Sequence, residues 1–222
     1  MKKIALALLG AAIFFGSTQQ AVAQKKIKEG KVTYDLSFPE LPEEAQAMAG
    51  MFPNKMELCF NKQFSRVEMK GGMANNITIT DIEKNITTSL MNIMGQKTAT
   101  ETDLSAGAEK DGDIKFDIQK EDGTKDILGY TCKKAIIKTD NGNMEVYYTN
   151  EIEINATTQA SKAMEGLDGF ALEYSLTAQG MKMLLTVTAI DKGAQDPELF
   201  KIPAGYKKMT LEEMQKSMGG GF

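Results

Sequence analysis

Ala135-Ile136-Ile137-Lys138-Thr139-Asp140-Asn141-Gly142-Asn143-Met144-Glu145-Val146-Tyr147-Tyr148-Thr149 is the stretch on which the fold turns. Two runs rich in β-branched and aromatic residues flank Asn141-Gly142. Asn-Gly in that setting favours a type I′ hairpin, because both central positions need a positive φ. A turn over Asp140-Asn141-Gly142-Asn143 pairs Lys138 with Glu145, Ile137 with Val146 and Ile136 with Tyr147.

The same pattern extends along the chain in both directions. Val32, Tyr34, Leu36 and Phe38 alternate with Thr33, Asp35 and Ser37, and Met56, Leu58 and Phe60 alternate with Glu57 and Cys59. Period two marks half-buried strands. Further strands are expected at 64–69, 77–82, 86–92, 97–102, 113–119, 129–139, 144–149, 170–177 and 181–190, with breaks at Gly71-Gly72, Asp122-Gly123 and Gln179-Gly180.

Three short helices are expected among them. Residues 41–52 place Leu41, Ala45, Met48 and Phe52 on one face behind Pro42-Glu43-Glu44, acids that suit a helix N-terminus. Residues 158–166 align Ala160, Ala163 and Met164 with Leu167, and residues 210–217 open on a Thr210/Glu213 capping box. The fold class is therefore mainly β: a strongly curved antiparallel sheet with two or three short helices covering its concave side. An open sheet of this size must curl or split, and a bare apolar face would aggregate.

Lys2 and Lys3 precede an apolar run from Ile4 to Phe15, followed by Ala21-Val22-Ala23, the pattern of a cleaved signal peptide over residues 1–23. The run falls short of the roughly 20 residues that span a bilayer. No Cys follows it, so the expected product is a periplasmic chain that is not a lipoprotein and has no integral membrane span. Cleavage leaves 222 − 23 = 199 residues, with 26 − 2 = 24 basic against 30 acidic side chains, a net charge of −6. That balance argues against a nucleic-acid partner and against charge-driven docking on anionic lipid. Residues 24–218 read as one β-rich domain and 219–222, Gly-Gly-Gly-Phe, as a flexible tail.

The chain has no His and no Trp. This removes Ser-His-Asp and Cys-His nucleophile pairs and zinc sites of the His type. Asp111-Gly112-Asp113 begins like a calcium loop and fails at Lys115 and Phe116. There is no Gly-x-Ser-x-Gly elbow, Ser-x-x-Lys or phosphate loop, and no aromatic cluster flanks an acid pair as in a glycosidase. The expectation is a non-enzyme without catalytic residues, cofactor or metal.

Cys59 and Cys132 each sit on the more polar face of a strand, and three readings stand. They form a disulfide worth roughly 4 kcal/mol in the chain-entropy model, they remain two thiols, or they serve redox chemistry without a Cys-x-x-Cys. The 15 methionines likewise have three readings: core filler, an adaptable lining for apolar ligands, or Cu(I) ligands at Met181-x-Met183.

Two segments carry a resemblance. Asp126-Ile127-Leu128-Gly129-Tyr130-Thr131-Cys132-Lys133-Lys134-Ala135, continuing to Glu145-Val146-Tyr147-Tyr148-Thr149-Asn150-Glu151-Ile152, resembles the core of a family of secreted Gram-negative proteins of unknown function. Pro197-Glu198-Leu199-Phe200-Lys201-Ile202-Pro203-Ala204-Gly205-Tyr206 resembles that family's closing element. The family is similar to periplasmic lipoprotein carriers of the LolA/LolB type. The resemblance spans about residues 30–209 and implies a half-open β-barrel with helical lids over an apolar cavity. It also implies a lid- or ligand-anchoring role for Arg66, the single arginine.

The expected function is a periplasmic, non-catalytic binding protein for a hydrophobic small molecule, lipid, acyl chain or lipoprotein, with envelope proteins as further partners. The lining is assigned to Leu36, Phe38, Met48, Phe52, Leu58, Phe60, Met164 and Leu167. The alternatives are a cell-envelope structural or interaction module without a ligand and, third, a carboxylate hydrolase.

Overall fold

The computed structural model describes residues 25–93, 95–107, 116–139, 142–154, 156, 163–178, 181–210, 212, 213 and 216. The expected signal peptide, the tail 219–222, Asp111-Gly112-Asp113, Gln179-Gly180 and most of the helices at 158–166 and 210–217 lie outside the described residues.

The strands are β1 Lys25–Ile27, β2 Gly30–Ser37, β3 Lys55–Phe60, β4 Phe64–Lys70, β5 Ala74–Asp81, β6 Ile86–Ile93, β7 Gln96–Asp103, β8 Asp117–Ile127, β9 Tyr130–Thr139, β10 Gly142–Thr149, β11 Ile152–Ile154, β12 Phe170–Ala178, β13 Met181–Lys192 and β14 Lys207–Met209. Twelve form one sheet in the order β14-β7-β6-β5-β4-β3-β2-β13-β12-β10-β9-β8, and β1 pairs with β11 in a small parallel sheet. Every contact in the large sheet is antiparallel except β14 on β7. The sheet is not closed, and β8 and β14 are its edges.

The hairpin forms with a different register. Thr139 pairs with Gly142, Ile137 with Met144 and Ile136 with Glu145, each two residues away from the expected partner. Gly142 keeps the positive φ (+112°) but does so inside the ladder, where its carbonyl accepts from the Thr139 hydroxyl at 2.7 Å. The shift is by two residues, which leaves every side chain on its expected face. Asp122-Gly123 is not a break either. β8 runs through it, with the register slipping between Glu121 and Thr124, a bulge on an edge strand.

Among the described residues, helix is scarcer than expected. The first helix shortens to α1 Glu43–Gln46 and a 3-10 turn at Ala49–Met51, because Gly50 and Pro53 interrupt a segment none of whose helical residues is fully buried. Of the third, the described part keeps its capping box: the Thr210 amide donates to Glu213 Oε2, and the Glu213 amide donates to Thr210 Oγ1. Two further single turns, α2 Leu104–Gly107 and a 3-10 turn at Pro197–Phe200, were not anticipated.

The apolar surface changes sides partway across the sheet. On the first face, Val32, Leu58 and Val67 lie in register across β2, β3 and β4. The same face continues through Leu185 on β13, Tyr174 on β12, Val146 on β10 and Ala135 on β9. This is the main core, with Val32, Phe60, Leu172 and Val146 fully buried. Past β4 the register carries Val67 to Thr78, Ser89 and Thr100, a row of hydroxyls. There the reverse face is apolar instead: Ile77, Ile79, Leu90 and Ala99 form a second cluster, closed by Ile202 and Tyr206. Phe200 stacks on Phe64 with ring centroids 5.6 Å apart. The closing element is thus a strap that hides the second apolar stripe and ends as β14 on the open edge.

Cys59 and Cys132 are both free and both buried, which corrects their placement on a polar surface. Cys132 enters the main core, and Cys59 lies on the reverse face opposite Arg66. Strands β2, β13, β12 and β10 separate β3 from β9 in the sheet, so the thiols stay apart and no disulfide joins them.

Candidate ligand mouth

Burial of the main core is uneven. Where β2 ends at Ser37, β12 at Ala178 and β13 begins at Met181, the strands lie side by side. Here Phe38, Leu176 and Met183 are only half-buried, although Leu176 and Met183 face each other across the ladder and pack on the core. Over this end runs the connection 38–54. The Phe38 and Phe52 rings meet at 5.0 Å, the Leu36 amide donates to the Asn54 carbonyl, and the Asn54 amide donates to that of Lys70. Between those anchors, α1 and the 3-10 turn contain no buried residue. A cover that buries so little surface is held by little free energy.

The structure brings Leu36, Phe38 and Phe52 to this mouth. It places Leu58 and Phe60 deeper in the same core, at 3% and 0% exposure. Met164 and Leu167 pack half-buried on the core from the segment before β12, and Gly166 there sits close against the Ile118 side chain of β8. Met48 faces solvent at 48% exposure. Leu176 and Met183 were missed as lining residues. Their period-two placement was visible, but it carries no label for which end of a strand is left uncovered.

Arg66 lies on the reverse face, with Cys59 and Ile79 beside it in register and Leu58 and Phe60 pointing the other way. Its Nη1 donates to Glu68 Oε2 at 2.8 Å, and Asn75 Nδ2 donates to Glu68 Oε1 at 3.2 Å. Burial alone would raise the Glu68 carboxyl, but the Arg66 hydrogen bond and charge, with Asn75 and Lys70, hold it below its usual range. Beside this network lies an open hollow of about 410 Å³ lined by Glu68, Lys70, Gly71, Gly72, Met73, Asn75, Asn92 and Gly95. It is polar and belongs to a different face from the mouth. Among the described residues no three of His, Cys, Asp and Glu gather into a metal-binding group, and no helix is long and apolar enough to cross a membrane.

An open, twelve-stranded sheet with a thinly covered apolar end defines a class of half-open β domain. Within that class, the chain belongs to the family described as "Domain of unknown function (DUF4412)", whose profile matches residues 45–206. No curated protein matches it. Among solved structures it is similar to PNGF-II in its P21 crystal form, at 15% identity and a TM-score of 0.50, covering 86% of this chain and 33% of PNGF-II. The chain thus spans about a third of PNGF-II, and the likeness shows a shared fold. A β-barrel-like protein of DUF1849 from Brucella abortus also matches, at 8% identity and a TM-score of 0.39, covering 78% of this chain and 100% of that one.

Proposed function

We propose that this protein is a periplasmic, non-catalytic binding protein that takes up an apolar or amphipathic ligand, a lipid or acyl chain, at the mouth between β2, β12, β13 and the 38–54 cover. The observation that carries the reading is the pairing of half-buried Phe38, Phe52, Leu176 and Met183 with a cover that buries none of its own helical residues. Each methylene buried there contributes about 0.8 kcal/mol, and flexible thioethers accommodate chains of varied shape. No reacting group is needed. The signal-like N-terminus and the resemblance to lipoprotein carriers support the periplasmic setting.

The test is native mass spectrometry of protein drawn gently from periplasm, together with displacement of a fluorescent fatty acid. A co-purifying lipid or saturable displacement, weakened at least tenfold in Phe38→Asp, is the expected result. A clean apo mass with no probe bound would sink the reading.

A further inference from the structure

Three of the five exposed large hydrophobic residues among those described are methionines of one small region: Met48 at 48%, Met51 at 40% and Met73 at 54%. Methionine is ordinarily a buried residue, and Met73, more than twenty residues along the chain from Met48 and Met51, is tied to them through the backbone. The Met51 amide donates to the Met48 carbonyl at 2.8 Å, and the Met73 amide donates to the Met51 carbonyl at 3.3 Å. The tip of the β4–β5 hairpin is pressed onto the cover so closely that a Cβ on Gly72 would lie 2.3 Å from Met51 O. Main-chain contact therefore brings the backbones of three exposed methionines into one small region beside the cover.

We propose that Met48, Met51 and Met73 form a binding site for a soft monovalent cation, Cu(I), with the three thioether sulfurs as ligands. Thioethers are neutral, soft donors that select Cu(I), whereas calcium and magnesium need several oxygens and zinc is held by Cys, His or carboxylate groups. The long, unbranched side chains let the sulfurs converge without backbone movement. Glu43 and Glu44 in the same cover segment favour a bound positive charge, whereas Glu40 is paired with Lys182. This site is distinct from Met181-x-Met183, whose side chains are half-buried at the start of β13.

The test uses the full exported chain under anaerobic, reducing conditions, with Cu(I) competed against a chromophoric chelator and Ag(I) followed by NMR of 13C-methyl methionine. One equivalent of Cu(I) should be withdrawn from the chelator, and Ag(I) should move three methionine methyl signals. The triple variant Met48→Leu, Met51→Leu, Met73→Leu should lose at least tenfold in affinity with its β circular dichroism unchanged. Met183→Leu should bind as the parent does. Leucine keeps the apolar bulk, so loss of binding in the triple variant reports on sulfur. Failure of the parent to withdraw Cu(I), or equal affinity in the triple variant, overturns the site. Neither outcome bears on lipid uptake at the mouth.

Discussion

Arg66 and Glu68, two residues apart on the reverse face of β4, meet at 2.8 Å with side-chain exposures of only 9% and 14%. Removing the arginine would leave the Glu68 carboxylate with Asn75 and the more distant Lys70 ammonium as its remaining partners, so Arg66→Met should cost about 1.5–3 kcal/mol in urea unfolding, the worth of a hydrogen bond to a charged group. The Glu68 carboxyl is held below its ordinary value of 4.5. A depressed carboxyl pKa adds stability that is complete above the unfolded value and is lost as the pH falls through the folded one. Stability should therefore decline below about pH 4.5 in the parent, and Glu68→Gln should flatten that acid limb. An Arg66→Met protein as stable as the parent would show the pair to be idle.

The two thiols should be inert in the native state. Burial, with Asp126 nearby, pushes the Cys132 thiol up to about 11, and burial raises Cys59 although Arg66 opposes it. Only the thiolate attacks alkylating or disulfide reagents. Ellman's reagent should find no reactive thiol in folded protein at pH 8 and two after unfolding, with identical masses before and after reduction. Because the folded thiol pKa is raised, its contribution to stability is full below pH 9 and fades as the pH climbs towards 11. A mass two hydrogen atoms lower before reduction would mean that Cys59 and Cys132 are paired.

Gly72 and Gly95 give a matched contrast. Both have positive φ, +75° and +88°, so alanine at either costs roughly 1–2 kcal/mol in backbone strain. A Cβ on Gly95 meets nothing within 4 Å, whereas one on Gly72 meets Met51 O at 2.3 Å and Phe52 C at 3.0 Å. Backbone atoms cannot swing aside as a side chain can. Gly72→Ala should therefore be the more destabilising of the two in thermal melts, and it should raise hydrogen exchange across 48–53. Equal melting temperatures would show that the hairpin tip does not brace the cover.

Most strands were legible because alternation is a local property. The residues from Val32 to Leu36 and from Met56 to Phe60 announce a pleat regardless of their neighbours. What alternation cannot state is which face a core will occupy. Ile77 and Ile79 read like Leu58 and Phe60, yet they point to the opposite side and are hidden by Ile202 and Tyr206 from far along the chain. The same limit explains Cys59, whose strand neighbour Glu57 suggested a polar face, whereas the thiol is buried opposite Arg66. β1, β11 and β14 span three residues each, too short to show a period. The clustering of Met48 and Met51 with Met73 depends on a hairpin tip folding back, and sequence spacing contains no trace of it.

Phe60 and Phe52 should separate stability from uptake. Phe60 has 0% exposure in the main core, so Phe60→Ala leaves a cavity and should cost about 3–5 kcal/mol. Phe52 is half-buried and its ring touches Phe38 at the edge of the mouth. An aromatic pair of that kind adds about 0.5–1.5 kcal/mol beyond its area, so Phe52→Ala should lower stability by well under half as much. If the cover gates a lipid site, the ranking reverses for binding. Phe52→Ala should change the affinity or release rate of a fluorescent fatty acid severalfold, whereas Phe60→Ala, assayed below its melting temperature, should leave it nearly unaltered. A Phe52→Ala protein with parental stability and parental probe kinetics would remove the 38–54 segment from any role in uptake.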